Sequence, residues 1–146
     1  MDNRSLRDVR VLVGDWRIEL TNAAFLDAGA AMSGTMRASW LDGAFLVLRT
    51  SMDAGGPPAS ISVIGRNESR DDYEVLYADG RGVSRIYRMT FADGVWTQER
   101  ADPGFHQRFH GALAADGSRI SASWQKSHDD GRTWERDFDL TYTRLG

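Results

Sequence analysis

Residues 117–142 read GSRISASWQKSHDDGRTWERDFDLTY, and the fold class follows from this stretch. On both sides of the central HDDG segment, apolar residues alternate with polar ones. The apolar positions are Ile120, Ala122 and Trp124 before the turn, and Trp134, Phe138, Leu140 and Tyr142 after it. Two alternating runs around a tight turn predict an antiparallel β-hairpin with one buried face and one solvated face.

The turn of this hairpin carries a second pattern, S-x-D-x-G-x-T-W, from Ser127 to Trp134. The pattern resembles the Asp-box, a hairpin module of sialidase propellers. An aspartate in a turn can accept hydrogen bonds from nearby backbone N–H groups, and glycine tolerates positive φ. The box occurs once here, whereas propellers repeat it in several blades. We therefore expect a rigid hairpin tip, with calcium binding or catalysis at the tip as the alternative.

Asp-Gly pairs recur along the rest of the chain, at residues 42–43, 79–80, 93–94, 116–117 and 130–131. Asp-Gly is a strong hairpin signal because two-residue hairpin turns need positive φ. Together with other Gly, Pro and Asn breaks, these pairs divide the chain into ten predicted strands. The strands are Asp15–Leu20, Ser33–Trp40, Ala44–Met52, Ala59–Arg66, Tyr73–Ala78, Val83–Phe91, Val95–Ala101, Phe105–Ala114, Ser118–Lys126 and Thr133–Arg144.

The segment Ser5–Gly14 is predicted to be a helix, because it begins with an S-x-x-D capping pattern, places Leu6, Val9 and Val13 on one face and has Gly14 as a C-terminal stop. The junctions between later strands are short, so consecutive strands are expected to be antiparallel neighbours. Closing such a sheet removes its two exposed edges. The predicted fold is therefore all-β: one domain, residues 1–146, forming a ten-stranded antiparallel up-and-down β-barrel with the helix at one end.

Composition excludes several classes of function. The chain has no cysteine, so it can form no disulfide framework or zinc–thiolate site. Its net charge is −3, which does not favour nucleic acid or anionic membrane as a partner. The N-terminal sequence lacks the apolar segment of a secretory signal, and no later stretch is long enough to span a membrane. We therefore expect a cytoplasmic protein.

Several short pieces of sequence resemble a known family. They are Leu12-Val13-Gly14-Asp15-Trp16, Leu41-Asp42-Gly43-Ala44-Phe45-Leu46-Val47, Ile64-Gly65, Arg108-Phe109 and Trp124-x-x-Ser127-x-Asp129-x-Gly131-x-x-Trp134. In this order they resemble the bacterial family called domain of unknown function 1579. The helix followed by Gly14-x-Trp16 also resembles the opening of calycins, which include lipocalins and fatty-acid-binding proteins. The resemblance implies a calycin-like barrel and no established activity.

No cofactor or metal is expected. Haem-binding nitrobindin-like barrels open with G-x-W-x-G-x-G, whereas residues 14–18 lack the second and third glycines of that pattern. His106 and His110 are four residues apart on one predicted strand, which separates them by about 13 Å. This distance is too long for both side chains to bind one metal ion.

Strand parity selects the side chains that are expected to face the barrel interior. In most strands the apolar residues share one parity, but in Ala44–Met52 the set with Phe45 and Arg49 competes with the set with Leu46 and Leu48. The candidate ligand-binding residues are Arg49, Tyr73, Tyr77, Arg85, Tyr87, Gln107, Phe109 and Trp124. An apolar pocket with a few converging polar groups is typical of a small-molecule site. The alternative is that the aromatic side chains fill the barrel and the arginines reach solvent at its mouth.

Three functions follow from these possibilities. The first is binding of a small, partly apolar molecule in the barrel interior. The second is a small barrel enzyme of the cyclase or isomerase type, with Tyr77, Tyr87 or Glu99 as its acid or base. Glu99 and Arg100 have opposite parity, so only one of the two can enter the barrel. The third is an interaction protein with a solid barrel, whose outer face forms a homodimer.

The arginines predict the charge of the ligand. If the parity of Arg49 and Arg85 faces inward, two guanidinium groups enter an aromatic cavity, and Glu99 can neutralise only one of them. A buried cation without a partner is costly. We therefore expect an aromatic or alicyclic ligand with an acidic oxygen group, because a guanidinium matches such a group well.

Overall fold

A computed structural model describes residues 4–146. Ten antiparallel strands form a closed barrel, in which each strand pairs with its neighbours in sequence and the first strand pairs with the last. The all-β, closed, ten-stranded prediction is confirmed. The strands are β1 (Gly14–Thr21), β2 (Ala31–Leu41), β3 (Phe45–Met52), β4 (Ser60–Arg66), β5 (Tyr73–Asp79), β6 (Ser84–Ala92), β7 (Val95–Asp102), β8 (Phe105–Leu113), β9 (Arg119–Ser127) and β10 (Glu135–Arg144).

Three of the five Asp-Gly pairs, at 42–43, 93–94 and 130–131, have the predicted positive φ at both residues, whereas at 116–117 only Gly117 has it and at 79–80 neither residue does. Asp93 and Gly94 both adopt positive φ, 52° and 77°, and they lie directly between the paired residues Ala92 and Val95. Aspartate and glycine are among the residues that tolerate this conformation, which matches the twist of the two flanking strands. Short hairpins of this kind bring consecutive strands together and determine the up-and-down topology.

The N-terminal helix spans Arg4–Leu12 and is a 3₁₀ helix, with non-helical dihedral angles at Leu6 (φ −107°, ψ 22°). It therefore ends two residues before the predicted boundary. The predicted cap by the Ser5 side chain lies outside the described part of the molecule. Leu6, Val9 and Leu12 are fully buried, and the helix contacts β3, β4 and β6. The helix closes one end of the barrel, as the sequence predicted.

Strand β10 begins later than predicted and contains an irregularity. It starts at Glu135 rather than Thr133, and its register with β9 shifts between Arg136 and Phe138. Such a bulge reverses the parity of the residues that precede it. Trp134 was predicted to share the inward face of Phe138. Instead its ring lies 3.9 Å from the guanidinium of Arg108, a residue of the outer face.

The outer face of β3 to β6 carries a row of apolar side chains. Val47 is the register partner of Val63, Val63 of Leu76, and Leu76 of Ile86. Leu76 and Ile86 are 50% and 58% exposed. Val47 is buried but is not part of the barrel core cluster, so neighbours on the outer face cover it.

Candidate functional site

The barrel contains a cavity of about 370 Å³ at the end opposite the helix. Aliphatic side chains such as Ile18, Leu20 and Leu48 form one wall. Pro57 and Pro58 from the loop between β3 and β4 lie at its mouth. The barrel is therefore not solid, because side chains do not fill an interior of this width.

Aromatic rings form the opposite wall of the cavity. Trp124 lies 5.0 Å from Phe109 and 5.5 Å from Tyr87, measured between ring centroids. Trp96 lies 4.6 Å from Phe109 and 6.0 Å from Tyr142. These separations are typical of tilted and edge-to-face aromatic pairs, which pack rigidly. The wall therefore presents flat apolar surface in a fixed shape, which suits a ring-containing ligand.

Two glutamines hold the polar edges of this aromatic wall. Tyr87 donates a hydrogen bond from its hydroxyl to Oε1 of Gln107, at 2.9 Å. Trp96 donates from Nε1 to Oε1 of Gln98, at 3.0 Å. Both glutamines are 6% exposed and line the cavity. Each uses its carbonyl oxygen inside the protein, which leaves its amide N–H groups available to a ligand.

Arg85 places a positive charge in the cavity. Its guanidinium lies 5.6 Å from the ring centroids of both Tyr77 and Phe105. No carboxylate within residues 4–146 forms an ion pair with it. Burial raises the pKa of Tyr87, and the neighbouring Arg85 guanidinium opposes that rise. Arg85 is thus a half-buried cation held by aromatic faces without an acidic partner.

A second group of charges at the mouth is neutralised internally. Asp79 accepts hydrogen bonds from the hydroxyl of Tyr77 and from Nη2 of Arg81, both at 2.8 Å. The Arg81 guanidinium holds the pKa of Asp79 well below its usual value. Burial, and next the contact with Asp79, raises the pKa of Tyr77 to about 12. Tyr77 is therefore neutral at physiological pH, and Arg81 already has its counter-ion.

Six of the eight candidate residues line this cavity. They are Tyr77, Arg85, Tyr87, Gln107, Phe109 and Trp124. Arg49 does not: the inward side chains of β3 are Leu46, Leu48 and Thr50, and Arg49 is exposed on the outer face. Its guanidinium lies 3.5 Å from the hydroxyl of Ser39 on the neighbouring strand. The predicted inward orientation of Arg49 is therefore wrong. Leu46 and Leu48 are buried inside the barrel, and residues of the alternate parity, such as Arg49, face outward.

Tyr73 faces inward but lies at the other end of the barrel. It packs against the hydrophobic core, and burial and then the negative charge of Asp8 in the helix raise its pKa. Glu99, the predicted general base, is exposed on the outer face of β7, where its register partners are Arg88 and Arg108. Neither residue reaches the cavity.

The candidate set left out many residues that line the cavity, and among these are Trp96, Gln98, Asp137 and Tyr142. Trp96 and Gln98 alternate with Glu99 along β7. If Glu99 faces outward, then Trp96 and Gln98 must face the barrel interior. Tyr142 shares its parity with Phe138, which was a usable signal. Asp137 reaches the mouth only because of the bulge in β10, and it pairs with Lys126 at 3.4 Å.

The histidines lie away from the cavity. His106 faces outward, with Nε2 3.6 Å from Asp130 and its ring 6.4 Å from that of Trp134. In the part of the chain that the structure covers, no three His, Cys, Asp or Glu side chains are grouped as metal ligands would be.

The fold and the cavity together define a closed ten-stranded β-barrel with an internal aromatic pocket. No family model matches the chain, and no curated protein matches it. Among solved structures, the chain is similar to one described as the crystal structure of Rv2717c from M. tuberculosis. The two are 14% identical, each is covered over 100% of its length, and the TM-score is 0.69. At this identity the similarity concerns the fold alone.

Within residues 4–146, no helix combines the length and the apolar character that are needed to cross a bilayer.

Proposed function

We propose that this protein binds a small molecule in the barrel interior, and that the ligand has an aromatic or alicyclic body and an acidic oxygen group. The observation that carries the proposal is Arg85, a guanidinium in an aromatic cavity with no carboxylate partner in the described residues. A half-buried cation gains most from an anion, because the low-dielectric surroundings strengthen the attraction. The amide groups of Gln98 and Gln107 add neutral hydrogen bonds.

The size and shape of the cavity support the same ligand class. Its volume of about 370 Å³ is at the lower end of the usual range for small-molecule sites, about 300–1,000 Å³. The flat faces of Trp124 and Phe109 favour a ring over a flexible chain. The occupant is therefore a compact molecule rather than an extended lipid or a polymer.

A pair of fluorescent probes tests the proposal. Anilinonaphthalene sulfonate is aromatic and anionic, and phenylnaphthylamine has the same rings without the sulfonate. Cavity binding is measured by titration and by quenching of Trp96 and Trp124, which line the cavity. We expect Arg85→Met to lower the affinity for the sulfonate probe roughly tenfold, since a charge-assisted hydrogen bond is worth about 1.5–3 kcal/mol. The neutral probe should bind both proteins alike.

Arg49→Met is the matched control, because it removes the same charge from the outer face. It should leave the affinities for both probes unchanged. This result would distinguish a contact in the cavity from a general loss of positive charge. Equal weakening of both probes by Arg85→Met would mean that the substitution alters the cavity rather than an anion contact. Native mass spectrometry of freshly purified protein then identifies any ligand that copurifies.

The other functions have less support. The enzyme hypothesis loses its general base, because Glu99 lies on the outer face, and the pKa of Tyr77 and of Tyr87 is raised. Self-association is favoured by the exposed apolar row that ends at Leu76 and Ile86, so a homodimer stays a prediction for sedimentation velocity to test. Membership of the calycins or of domain of unknown function 1579, a bacterial source and a cytoplasmic location also stay predictions.

A further inference from the structure

The barrel wall is incomplete between β6 and β7. The two strands pair from Arg88 and Glu99 to Ala92 and Val95, next to their connecting turn. Both strands continue beyond this ladder, but residues 84–87 of β6 and 100–102 of β7 are not paired with each other. Each of these segments pairs only with its other neighbour, β5 or β8. The strands therefore diverge and leave a lateral opening in the wall.

A groove on the outer surface leads into this opening. It is lined by outward-facing residues such as Ile86 and by the inward-facing residues Tyr87, Arg100 and Gln107. Tyr87 and Gln107 also line the internal cavity, so their mutual hydrogen bond of 2.9 Å forms the partition between the groove and the cavity. This partition stands between the cavity, which Arg85 lines, and the groove, which Arg100 lines.

Arg100 lies in the opening with one donor unused. Its side chain is 13% exposed, its Nη2 contacts Asp102, and its Nη1 lies 3.5 Å from the carbonyl oxygen of Phe105. Its Nε is buried and has no hydrogen-bond partner among the described residues. Buried donors are almost always paired in native structures, and the exceptions are frequently functional. Asp102 is 63% exposed and neutralises only the outer side of the guanidinium.

Arg85 and Arg100 converge on the same place from opposite sides of the opening. Their guanidinium carbons lie 5.6 Å and 5.9 Å from the centroid of the same ring, Phe105. Both positive charges also oppose the rise in the pKa of Tyr87 that burial causes. Two cations thus lie near Phe105 and act on one buried hydroxyl, and among the described residues one exposed carboxylate, that of Asp102, pairs with them.

We propose that Arg100 is a second anion-binding residue, and that the ligand of the barrel is a carboxylate whose two oxygens lie between Arg85 and Arg100 beside the Tyr87 hydroxyl. This inference rests on the proposed function, because it specifies the acidic group of the same ligand. A carboxylate offers two charged oxygens and so can occupy both guanidiniums at once. A phenolate or an enolate offers only one such oxygen and matches the planar forks of two guanidiniums less well.

Naphthoate and naphthamide test this inference, because they share size and rings and differ in charge. Their affinities are measured by calorimetry with the wild-type protein, Arg85→Met and Arg100→Met. We expect wild type to prefer naphthoate by at least tenfold, and Arg100→Met to lower naphthoate affinity roughly tenfold without changing naphthamide. Arg49→Met, on the outer face of β3, is the control and should change neither affinity.

A thermal melt separates a binding role from a structural one. Arg100→Met removes an unpaired buried donor together with the contact to the exposed Asp102 and the long hydrogen bond to the Phe105 carbonyl oxygen, so its melting temperature should stay close to that of wild type. Arg100→Lys keeps the charge but lacks Nε, and we expect it to bind naphthoate as weakly as Arg100→Met does. Full affinity in Arg100→Lys would overturn the role of Nε.

The outcomes distinguish this inference from the proposed function. If naphthoate affinity falls in Arg85→Met but not in Arg100→Met, the cavity binds anions through Arg85 alone and the role of Arg100 is wrong. If wild type binds naphthoate and naphthamide equally, or binds neither, both the inference and the acidic-ligand proposal are wrong.

Discussion

At the scale of single residues, Arg144 shows how one side chain joins distant parts of the chain. Its guanidinium donates to the carbonyl oxygens of Val11 and Val13 at 2.5 and 2.9 Å, and to that of Gly117 at 3.2 Å. It also lies 4.1 Å from the ring centroid of the fully buried Trp16. The last strand thereby holds the end of the helix against the base of the barrel.

Replacing Arg144 by methionine should destabilise the protein strongly. The substitution leaves three backbone carbonyls without their charged donor and removes a cation–π contact, for a loss of about 2–4 kcal/mol in the free energy of unfolding. Urea denaturation followed by tryptophan fluorescence measures this loss. Arg119→Met, which replaces an exposed side chain on β9 that makes no hydrogen bond to the described residues, should stay within about 0.5 kcal/mol of wild type. A similar small change in Arg144→Met would contradict the assigned role.

At the scale of elements, the hairpin tip between β9 and β10 is a closed hydrogen-bond network. Asp129 accepts from the backbone N–H of Thr133 at 2.8 Å and from its hydroxyl at 2.5 Å. Ser127 donates its hydroxyl to Asp129 at 2.7 Å and accepts from the N–H of Gly131 at 2.9 Å. The side chains of Ser127, Asp129 and Thr133 thus bond to one another inside the turn, whereas Asp130 accepts from the N–H of Gly104 outside it. This network supports the structural interpretation of the Asp-box, and the rigidity of the tip stays a prediction.

The network predicts how the hairpin tip responds to acid. Hydrogen bonds, first from the Thr133 hydroxyl, lower the pKa of Asp129 to about 2. Because the folded-state pKa lies below the unfolded value, this stabilisation is complete above about pH 4 and is lost as the pH falls towards 2. Asp129→Asn cannot titrate, so its melting temperature should fall less steeply over this interval.

The comparison is made by thermal melts at intervals from pH 2 to pH 7, because wild type and variant should differ most near neutrality. There we expect Asp129→Asn to melt roughly 2–4 °C lower, the usual shift for losing one local cap in a domain of this size. Asp42→Asn, in a turn at the opposite end of the barrel, makes no such hydrogen bonds and is the control. If the melting temperatures of Asp129→Asn and wild type fall equally steeply below pH 4, the titration of Asp129 does not stabilise the tip. A loss of probe binding without a change in melting temperature would also contradict a purely structural role.

At the scale of the whole molecule, the fold was predictable because each local signal pointed to the same topology. Asp-Gly pairs such as Asp93-Gly94 fix short turns, and short turns between alternating strands leave an antiparallel meander as the natural arrangement. Closure follows because ten strands without it would expose two edges. The 3₁₀ geometry of the helix was not predictable, since its apolar spacing fits either kind of helix.

The site was predictable only where parity was unambiguous. Tyr87 and Phe109 lie in strands with a clear apolar face, and both line the cavity. In β3 the outer face is also apolar, because Val47 belongs to the outer row, so parity alone could not exclude Arg49. The lateral opening beside Arg100 depends on where two strands cease to pair, and alternation within one strand carries no information about that.

The cavity as a whole predicts a limit to stability at alkaline pH. Burial raises the pKa of Tyr77 to about 12, and it also raises the pKa of Tyr87 and of Tyr142. All three line the cavity, whereas in the unfolded chain a tyrosine titrates near pH 10. A raised folded-state pKa means that the stabilisation is complete below about pH 10 and is lost as the pH rises towards 12. The free energy of unfolding should therefore be level through neutrality and fall above pH 10.

Tyr142→Phe tests this prediction, because the Tyr142 hydroxyl makes no hydrogen bond to residues 4–146 and its removal should cost little at pH 7. We expect Tyr142→Phe to match wild type at neutral pH and to lose stability less steeply above pH 10, measured by urea denaturation at each pH together with tyrosinate absorbance. Superimposable alkaline limbs for the two proteins would show that Tyr142 ionises as freely in the folded barrel as in the unfolded chain.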